Sequence, residues 1–279
     1  MPHSKVILVQ LADGETPQEL VWRALDLLDA APVLSQYQSF LLKPNYIVDA
    51  PPTSGLVTRP ETLDGIITYL LEKAGKTSSQ VRIGEGGYPS STERAFSICG
   101  ARELASQHGV PLINLNTDEK ETIFLEESLA LKEVNVARTA RDVECLISIP
   151  SLKTHSMAVT TLAMKNCMGC IYPKGIMHSN LHKKIADLAG LLNPKLSVID
   201  GIIGAEGNEE TGTPVPMGII VAGFDYVAVD TVGSAIMGFG PKECKYLQYG
   251  AQKGLGTYDL NEIDVVGIPI AVVQKKFHR

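Results

Sequence analysis

The chain of 279 residues is 44% hydrophobic and 20% charged, a composition typical of soluble globular proteins with a sizeable core. Its formal net charge of −6 lacks the basic excess expected of a nucleic-acid-binding protein, so no nucleic-acid partner is expected. No apolar stretch approaches the roughly 18 residues that span a membrane. The sequence therefore predicts no membrane partner and a cytoplasmic location.

Apolar runs that resemble strands alternate with helical patterns along the chain. The expected strands are 6–11, 39–45, 81–87, 110–115, 144–150, 195–201, 218–223 and 264–270. The expected helices are 16–29, 59–74, 91–108, 158–167, 178–193 and 225–238. Short apolar runs between helices predict an α/β fold, with a mainly parallel central sheet and helices on both faces.

Two segments depart from this alternation. Amphipathic alternation within 116–143 predicts a small antiparallel excursion, and the Gly-, Pro- and Glu-rich segment 202–218 is expected to be a long loop. The sequence has no repeat of fixed period and no low-complexity linker. We therefore expect a single domain over 1–279 without an internal boundary.

Polar residues lie at the carboxyl ends of four of the expected strands or directly after them. They are Lys43-Pro44-Asn45, Gly84-Glu85-Gly86-Gly87, Lys153-Thr154-His155 and Asp200-Gly201. In an open α/β sheet, ligands bind beyond the carboxyl ends of the strands. If these four strands are parallel neighbours, their polar groups share one cleft.

The glycine-rich segment Gly84–Gly87 matches neither of two common nucleotide motifs. It lacks the G-x-G-x-x-G spacing of dinucleotide sites, and no phosphate-binding P-loop pattern occurs in the chain. Its glycines, Gly86 among them, would still let backbone N–H groups approach an anion. A tight turn without a ligand explains the same residues.

Histidines and lysines further along the chain have both functional and plain interpretations. Lys165 and Asn166 fall near the end of the helix expected over 158–167, where a lysine also complements the helix dipole. His178 and His182 are four residues apart in the next expected helix, so they would share a face. That spacing can bind zinc, but the pattern H-E-x-x-H is not met.

The five cysteines do not indicate disulfides or a metal cluster. Their odd number argues against a disulfide framework in a chain of this kind. Cys167-x-x-Cys170 supplies two ligands, whereas an iron–sulfur cluster usually needs four, so no cluster is expected. The pair is also expected at a helix C-terminus, which disfavours the thiolate form that a redox dithiol needs.

An ordered set of short motifs resembles domain-of-unknown-function family 362. The motifs are LKPN (42–45), RPET (59–62), GEGG (84–87), IPSLKTH (149–155), LAMKNCMG (162–169), the expected helix that begins at His178, VIDG (198–201) and DYVAVD (225–230). The resemblance implies no defined reaction. Many members carry ferredoxin-type iron–sulfur modules, whose repeated C-x-x-C-x-x-C clusters are absent here. The characteristic polar positions that it implies are Lys43, Asn45, Glu85, Lys153, His155, Lys165, Asn166, His178, Asp200 and Asp230.

The first hypothesis is an enzyme of isomerase, epimerase or lyase type acting on a small phosphorylated or carboxylate metabolite by proton transfer. Crowded, partly buried lysines have a lowered pKa, which suits acid–base work. The expected catalytic residues are Lys153, His155 and Lys165. The expected substrate-binding residues are Lys43, Asn45, Glu85, Gly86, Asn166 and His178, and the carboxylates for a divalent metal are Asp200 and Asp230.

Two further hypotheses stay open from the sequence. One is a non-catalytic protein that binds an anion or a metal, and the other is a partner of iron–sulfur redox proteins that has lost its own cluster module. The sequence also allows a homo-oligomer.

Overall fold

The computed structural model describes residues 3–279, which contain twelve strands. They are β1 (Ser4–Gln10), β2 (Phe40–Pro44), β3 (Val81–Glu85), β4 (Leu112–Asn114), β5 (Lys120–Phe124), β6 (Glu133–Ala137), β7 (Cys145–Ile149), β8 (Ser151–His155), β9 (Val159–Thr161), β10 (Leu196–Glu206), β11 (Thr213–Gly223) and β12 (Ile263–Gly267).

The same residues form eleven α-helices, several of them a single turn. They are α1 (Pro17–Leu27), α2 (Ala30–Leu34), α3 (Pro60–Glu72), α4 (Thr92–Ile98), α5 (Ala101–His108), α6 (Arg138–Asp142), α7 (Ala163–Asn166), α8 (Leu181–Leu192), α9 (Tyr226–Ile236), α10 (Lys245–Gln252) and α11 (Ile270–Val273). None of these helices is both long enough and apolar enough to cross a membrane.

Ten strands form one large sheet, which is mostly parallel as predicted. Eight of them run in the order β12-β1-β11-β10-β7-β2-β3-β4, and β8 and β9 join it through β10. The antiparallel pairs are β1–β11, β10–β11 and β8–β9. The strands β10, β7, β2 and β3 are parallel neighbours, which confirms the arrangement on which the expected cleft depends.

Helices cover both faces of this sheet, and the strands feed two separate cores. Successive side chains of β1 alternate between them: Val6 and Leu8 enter one core, Ile7 and Val9 the other. The first core includes residues of α8 and α9, and the second includes residues of α1 and α3. Burial on both faces explains the near-continuous apolar runs of the sequence.

The segment 116–143 contains the predicted antiparallel excursion. Strands β5 and β6 pair in register from Lys120 with Ala137 to Phe124 with Glu133, as a separate two-stranded sheet. Its bounds fall inside the predicted segment.

The segment after Pro150 differs from the predicted strand followed by a helix over 158–167. The chain continues as β8, which pairs with β9, so that Lys153 lies opposite Thr161. Val159 has a φ of 73°, outside the helical region, and the β-branched residues after it favour a strand. The helix is reduced to the single turn α7.

The segment 202–218 is a β-hairpin instead of the expected loop. Strands β10 and β11 pair as far as Glu206 opposite Thr213, which leaves a turn over 207–212. Gly207 has a φ of 92°, a conformation that glycine adopts readily. A Cβ on Gly212 would lie 2.5 Å from the Glu206 carbonyl oxygen, so this tight turn requires glycine.

Two predicted helices have different bounds in the structure. The helix expected over 91–108 is divided into α4 and α5 at Gly100, whose φ is 77°. The helix expected over 178–193 begins at Leu181, because Asn180 before it has a φ of 54°. His178 therefore precedes the helix and does not share a helical face with His182.

Candidate active site

Seven of the eleven predicted site residues line one cleft at the carboxyl ends of β2 and β3. We call it the lysine cleft. Its volume is about 60 Å³, enough for a few water molecules or one compact anion and far below the size of a drug-like ligand site. The seven residues are Lys43, Asn45, Glu85, Gly86, Lys153, Lys165 and Asn166.

Short elements at the sheet edge place these side chains. Lys43 lies near the end of β2, and Glu85 is the last residue of the neighbouring β3. Lys153 is in the middle of β8, and the single turn α7 carries Lys165 and Asn166. Parallel strands bring their carboxyl ends to the same edge, so residues more than a hundred positions apart meet there.

Lys43 and Glu85 form a buried ion pair on one wall of the cleft. The Lys43 Nζ lies 2.8 Å from Glu85 Oε2, and both side chains are almost fully buried. The same ammonium donates to the Pro44 carbonyl at 2.7 Å and to Asn166 Oδ1 at 3.0 Å. Glu85 also accepts from the backbone N–H groups of Tyr46 and Gly86. The charge of Lys43 is therefore balanced by Glu85, and all three N–H donors of its ammonium group are hydrogen-bonded.

Lys153 has hydrogen bonds but no carboxylate at ion-pair distance among residues 3–279. Its Nζ donates to the carbonyl oxygens of Leu56 at 2.7 Å and Glu209 at 3.1 Å. Burial lowers the pKa of Lys153 to about 7, and the positive charge of Lys165 contributes to the same shift. The Lys153 amine is therefore only partly protonated near neutral pH.

Replacement of this buried amine is expected to stabilise the fold. Lys153→Met removes the cost of a buried charge, although it leaves two carbonyl groups unpaired, so we expect a gain on the order of 2 kcal/mol in the free energy of unfolding at about pH 6. The folded-state pKa lies below the unfolded one, so wild-type stability from this group rises as pH increases from about 7 to about 10.5. Urea unfolding at several pH values should show that the stability difference between Lys153→Met and the wild-type protein shrinks across that window. A stability difference independent of pH would contradict the lowered pKa of Lys153.

Lys165 is the cleft lysine whose ammonium group has no partner among the described residues. It is 6% exposed and lines the cleft, but its Nζ makes no hydrogen bond or ion pair within residues 3–279. Burial lowers the pKa of Lys165 to about 8; the Glu209 carboxylate limits this shift, and Lys43 adds to it. A buried amine without a partner leaves donors available to a ligand.

Lys174 and Glu209 also line the cleft, although neither is predicted from the sequence. Lys174 donates to Asn116 Oδ1 at 2.6 Å, and burial lowers its pKa to about 8. Glu209 reaches the cleft from the turn of the β10–β11 hairpin. Two Gly residues that flank Asn-Glu-Glu-Thr between apolar runs were the available signal for that hairpin.

His155 holds Glu209 instead of facing the cleft directly. Its Nδ1 accepts from the N–H groups of Met157 at 3.0 Å and Ala158 at 3.2 Å, so the neutral ring carries its proton on Nε2. That nitrogen lies 3.2 Å from Glu209 Oε1. Burial and then the charge of Lys165 lower the pKa of His155 to about 3. The ring therefore has no free basic nitrogen to offer a substrate.

The other three predicted site residues do not line the cleft. His178 is exposed on the segment before α8. Asp200 accepts from the backbone N–H of Arg59 at 2.6 Å, at the start of α3. Asp230 accepts from Ala163 N at 2.7 Å and Met164 N at 2.9 Å, so it fixes the start of α7, which carries Lys165.

The two aspartates predicted for a metal serve instead as hydrogen-bond acceptors for helix starts. Burial raises the pKa of Asp200 to about 6, although the Arg59 and Ile202 N–H groups oppose the shift. Among residues 3–279, no group of three or more His, Cys, Asp or Glu side chains is arranged to hold a metal ion.

The C-x-x-C pair is buried behind the cleft. Cys167 and Cys170 are inaccessible to solvent. All five cysteines are free thiols. Burial raises the pKa of Cys167 well above its ordinary value and that of Cys170 to about 12. Both thiols therefore stay protonated at neutral pH.

The thiols are expected to be unreactive in the folded protein. Because the thiolate is the nucleophile and all five cysteines are buried, a thiol-specific disulfide reagent should label none of them at neutral pH and all five after unfolding in urea. The release of the coloured product measures both states. Rapid labelling of one or two thiols in the native protein would contradict the placement of the pair.

Comparisons with known proteins give a family but no reaction. The family described as "Domain of unknown function (DUF362)" matches residues 40–235. The thylakoid-associated protein sll1697 of Synechocystis sp. is 26% identical over 226 residues, which cover 77% of this chain and 67% of that protein.

A solved structure also aligns with the chain. It is the lactate racemase apoprotein from Thermoanaerobacterium thermosaccharolyticum, with a TM-score of 0.46 and 12% identity over 80% of this chain. The chain covers 54% of that protein's length. The family match spans well over half of the sequence and includes every residue of the lysine cleft. The chain belongs to the DUF362 family.

Proposed function

We propose that the chain binds a small anion in the lysine cleft and exchanges a proton with it through Lys165, as isomerases, epimerases and lyases do. The observation that carries this proposal is an amine that is 6% exposed, lines the cleft and has no partner among residues 3–279. Lysines are seldom buried without a partner in proteins, so such a group indicates a function.

The charge of the cleft favours an anion. Four lysines line it, against the two glutamates Glu85 and Glu209, in a protein whose net charge is −6. Glu85 neutralises Lys43, whereas Lys153 and Lys165 have no carboxylate at ion-pair distance within residues 3–279. The local excess of positive charge would attract a phosphate or carboxylate group.

The volume limits the size of that anion. A space of about 60 Å³ admits a phosphate or a short carboxylate, but not a nucleotide. We therefore place a compact oxyanion, or the anionic end of a slightly larger metabolite, beside Lys165.

Proton transfer would use the neutral form of Lys165. Its lone pair would take a proton from a carbon next to the carboxylate or carbonyl of the ligand, and the electron pair of the broken C–H bond would delocalise into that group. Return of a proton to the same carbon would give epimerisation, return to a neighbouring carbon isomerisation, and expulsion of a leaving group elimination. Lys153 is a second amine of lowered pKa in the same cleft, available for the return step.

In this proposal, His155 and Glu209 have supporting roles. His155 would act as a positioning residue through its contact with Glu209, which the Ser156 N–H and hydroxyl also hold at 3.0 Å each. Lys153 in turn donates to the backbone carbonyl of Glu209, so the hairpin turn and the amine fix each other.

Calorimetric titration with inorganic phosphate tests the binding step. The wild-type protein should bind phosphate, and Lys165→Met should weaken binding at least about tenfold, because a charge-assisted hydrogen bond contributes about 1.5–3 kcal/mol. Lys276→Met is the matched control, since Lys276 is exposed and lies outside the cleft. Equal affinity of the two variants would overturn the proposal.

A further inference from the structure

Besides Lys165, the lysine cleft contains two buried polar atoms that lack a partner in the described part of the chain. They are Asn45 Oδ1 and Thr161 Oγ1, both without a hydrogen bond among residues 3–279. Asn45 and Thr161 line the same cleft as Lys165 and are 6% and 4% exposed. Buried polar atoms in proteins are almost always paired, so these two indicate positions where a ligand completes the bonding.

The orientation of the Asn166 amide is fixed by its neighbours. Its Oδ1 accepts from the Lys43 ammonium at 3.0 Å, and its Nδ2 donates to the Lys43 carbonyl at 2.8 Å. The Nδ2 also donates to Ser148 Oγ at 3.2 Å. A rotated amide would set a carbonyl oxygen against a carbonyl oxygen and an amide NH₂ against an ammonium group, so only the observed orientation satisfies all three groups.

This orientation in turn fixes the amide of Asn45. Asn45 Nδ2 donates to Asn166 Oδ1 at 3.2 Å, and that acceptor requires a donor from Asn45. The Asn45 oxygen is therefore the atom left without a partner. A carbonyl oxygen only accepts hydrogen bonds, so a ligand group that pairs with it must donate one.

We infer that the ligand of the lysine cleft is a compact oxyanion that also carries a hydrogen-bond donor. Hydrogen phosphate and a hydroxylated carboxylate share this chemistry. The anionic oxygens would accept from Lys165 Nζ and Thr161 Oγ1, and the ligand's own O–H would donate to Asn45 Oδ1. The inference rests on the proposed function and adds a selectivity to it: similar anions without a donor should bind less well, because they leave the Asn45 oxygen unpaired.

Two pairs of anions of similar shape test this selectivity by calorimetric titration. Phosphate is compared with sulfate, and glycolate with propionate; the first member of each pair has an O–H donor and the second has none. In at least one pair, the wild-type protein should bind the donor-bearing member about tenfold or more tightly, as expected for one buried unpaired acceptor. The pair that binds more tightly identifies phosphate or carboxylate as the anionic group.

The variants separate the inference from the proposal on which it rests. Asn45→Ala should bring the affinity ratio within that pair close to one, whereas Lys165→Met should weaken all the anions that bind. Equal binding within both pairs by the wild-type protein would overturn the inference alone, and this comparison needs no variant should Asn45→Ala fail to fold. Absence of binding by all four anions would overturn the proposed function as well.

Discussion

Glu85→Ala is expected to lower the free energy of unfolding by about 3–5 kcal/mol, the usual cost of leaving one partner of a buried ion pair without the other. The substitution leaves the Lys43 ammonium, which is 1% exposed, without its counter-charge. It also removes the acceptor for the Tyr46 and Gly86 N–H groups. Urea unfolding followed by circular dichroism measures this loss.

A double-mutant cycle shows whether the loss comes from the ion pair. Lys43→Met combined with Glu85→Gln keeps the shape of both side chains and removes both charges, so it should be more stable than Glu85→Gln alone. If the double variant is the less stable of the two, the charge of Lys43 is not the cause.

Gly169→Ala perturbs the same pair without removing either partner. A Cβ at this position would lie 2.2 Å from Glu85 Oε1 and 2.6 Å from Lys43 Nζ. These side chains are buried and held by several hydrogen bonds, so they have little room to move. The backbone of the C-x-x-C segment passes so close to the ion pair that this position requires glycine.

Lys165→Met is expected to reduce proton exchange between solvent and ligand by a factor of about 10²–10⁴, the usual contribution of a general base. The measurement is loss of C–H signals by proton NMR when small hydroxylated carboxylates and phosphate esters are incubated with the protein in D₂O. In the wild-type protein the exchange rate should rise with pH through about 8, because the neutral amine is the base.

Lys165→Arg separates proton exchange from anion binding. Arginine keeps a positive charge in the cleft, and it stays protonated at every pH used for the exchange measurement. This variant should therefore retain much of the phosphate affinity and lose proton exchange with the ligand. Exchange at the wild-type rate in Lys165→Arg would assign the base elsewhere in the cleft. Anion binding without exchange in the wild-type protein would favour the non-catalytic hypothesis.

The strand ends could be predicted from the sequence because their physical basis is local. An apolar run that ends in Lys-Pro-Asn or Gly-Glu-Gly indicates a buried strand and the point where the chain leaves the sheet. The α/β pattern predicts a mainly parallel sheet, but the order β10, β7, β2 and β3 came from the structure. This order brings Lys43 and Glu85 to one edge, where β8 after β7 carries Lys153.

The residues that were missed, or that have other roles in the structure, depend on contacts that no sequence pattern shows. Glu209 reaches the cleft from the turn of the β10–β11 hairpin, whereas the Gly- and Pro-rich composition of 202–218 predicts a loop there. The sequence predicts His155 as a catalytic residue, but two backbone N–H groups bind its Nδ1, and no sequence pattern reveals such a bond. Asp230 looked like a metal ligand, yet it stabilises the start of α7.

The different roles of the cleft lysines likewise could not be predicted from the sequence. The sequence assigns equal importance to Lys153 and Lys165, and a ligand-binding role to Lys43. In the structure, Lys43 forms an ion pair with Glu85, and Lys153 donates hydrogen bonds to two carbonyl groups. Lys165 is left without a partner in the described residues.

A crystal structure of the protein soaked in inorganic phosphate tests the central claim most directly. We expect density for a phosphate in the lysine cleft, with an oxygen within about 3 Å of Lys165 Nζ, the usual length of a charge-assisted hydrogen bond. A cleft that stays empty of phosphate, with Lys165 bound to a protein carboxylate or turned away from the cleft, would contradict it.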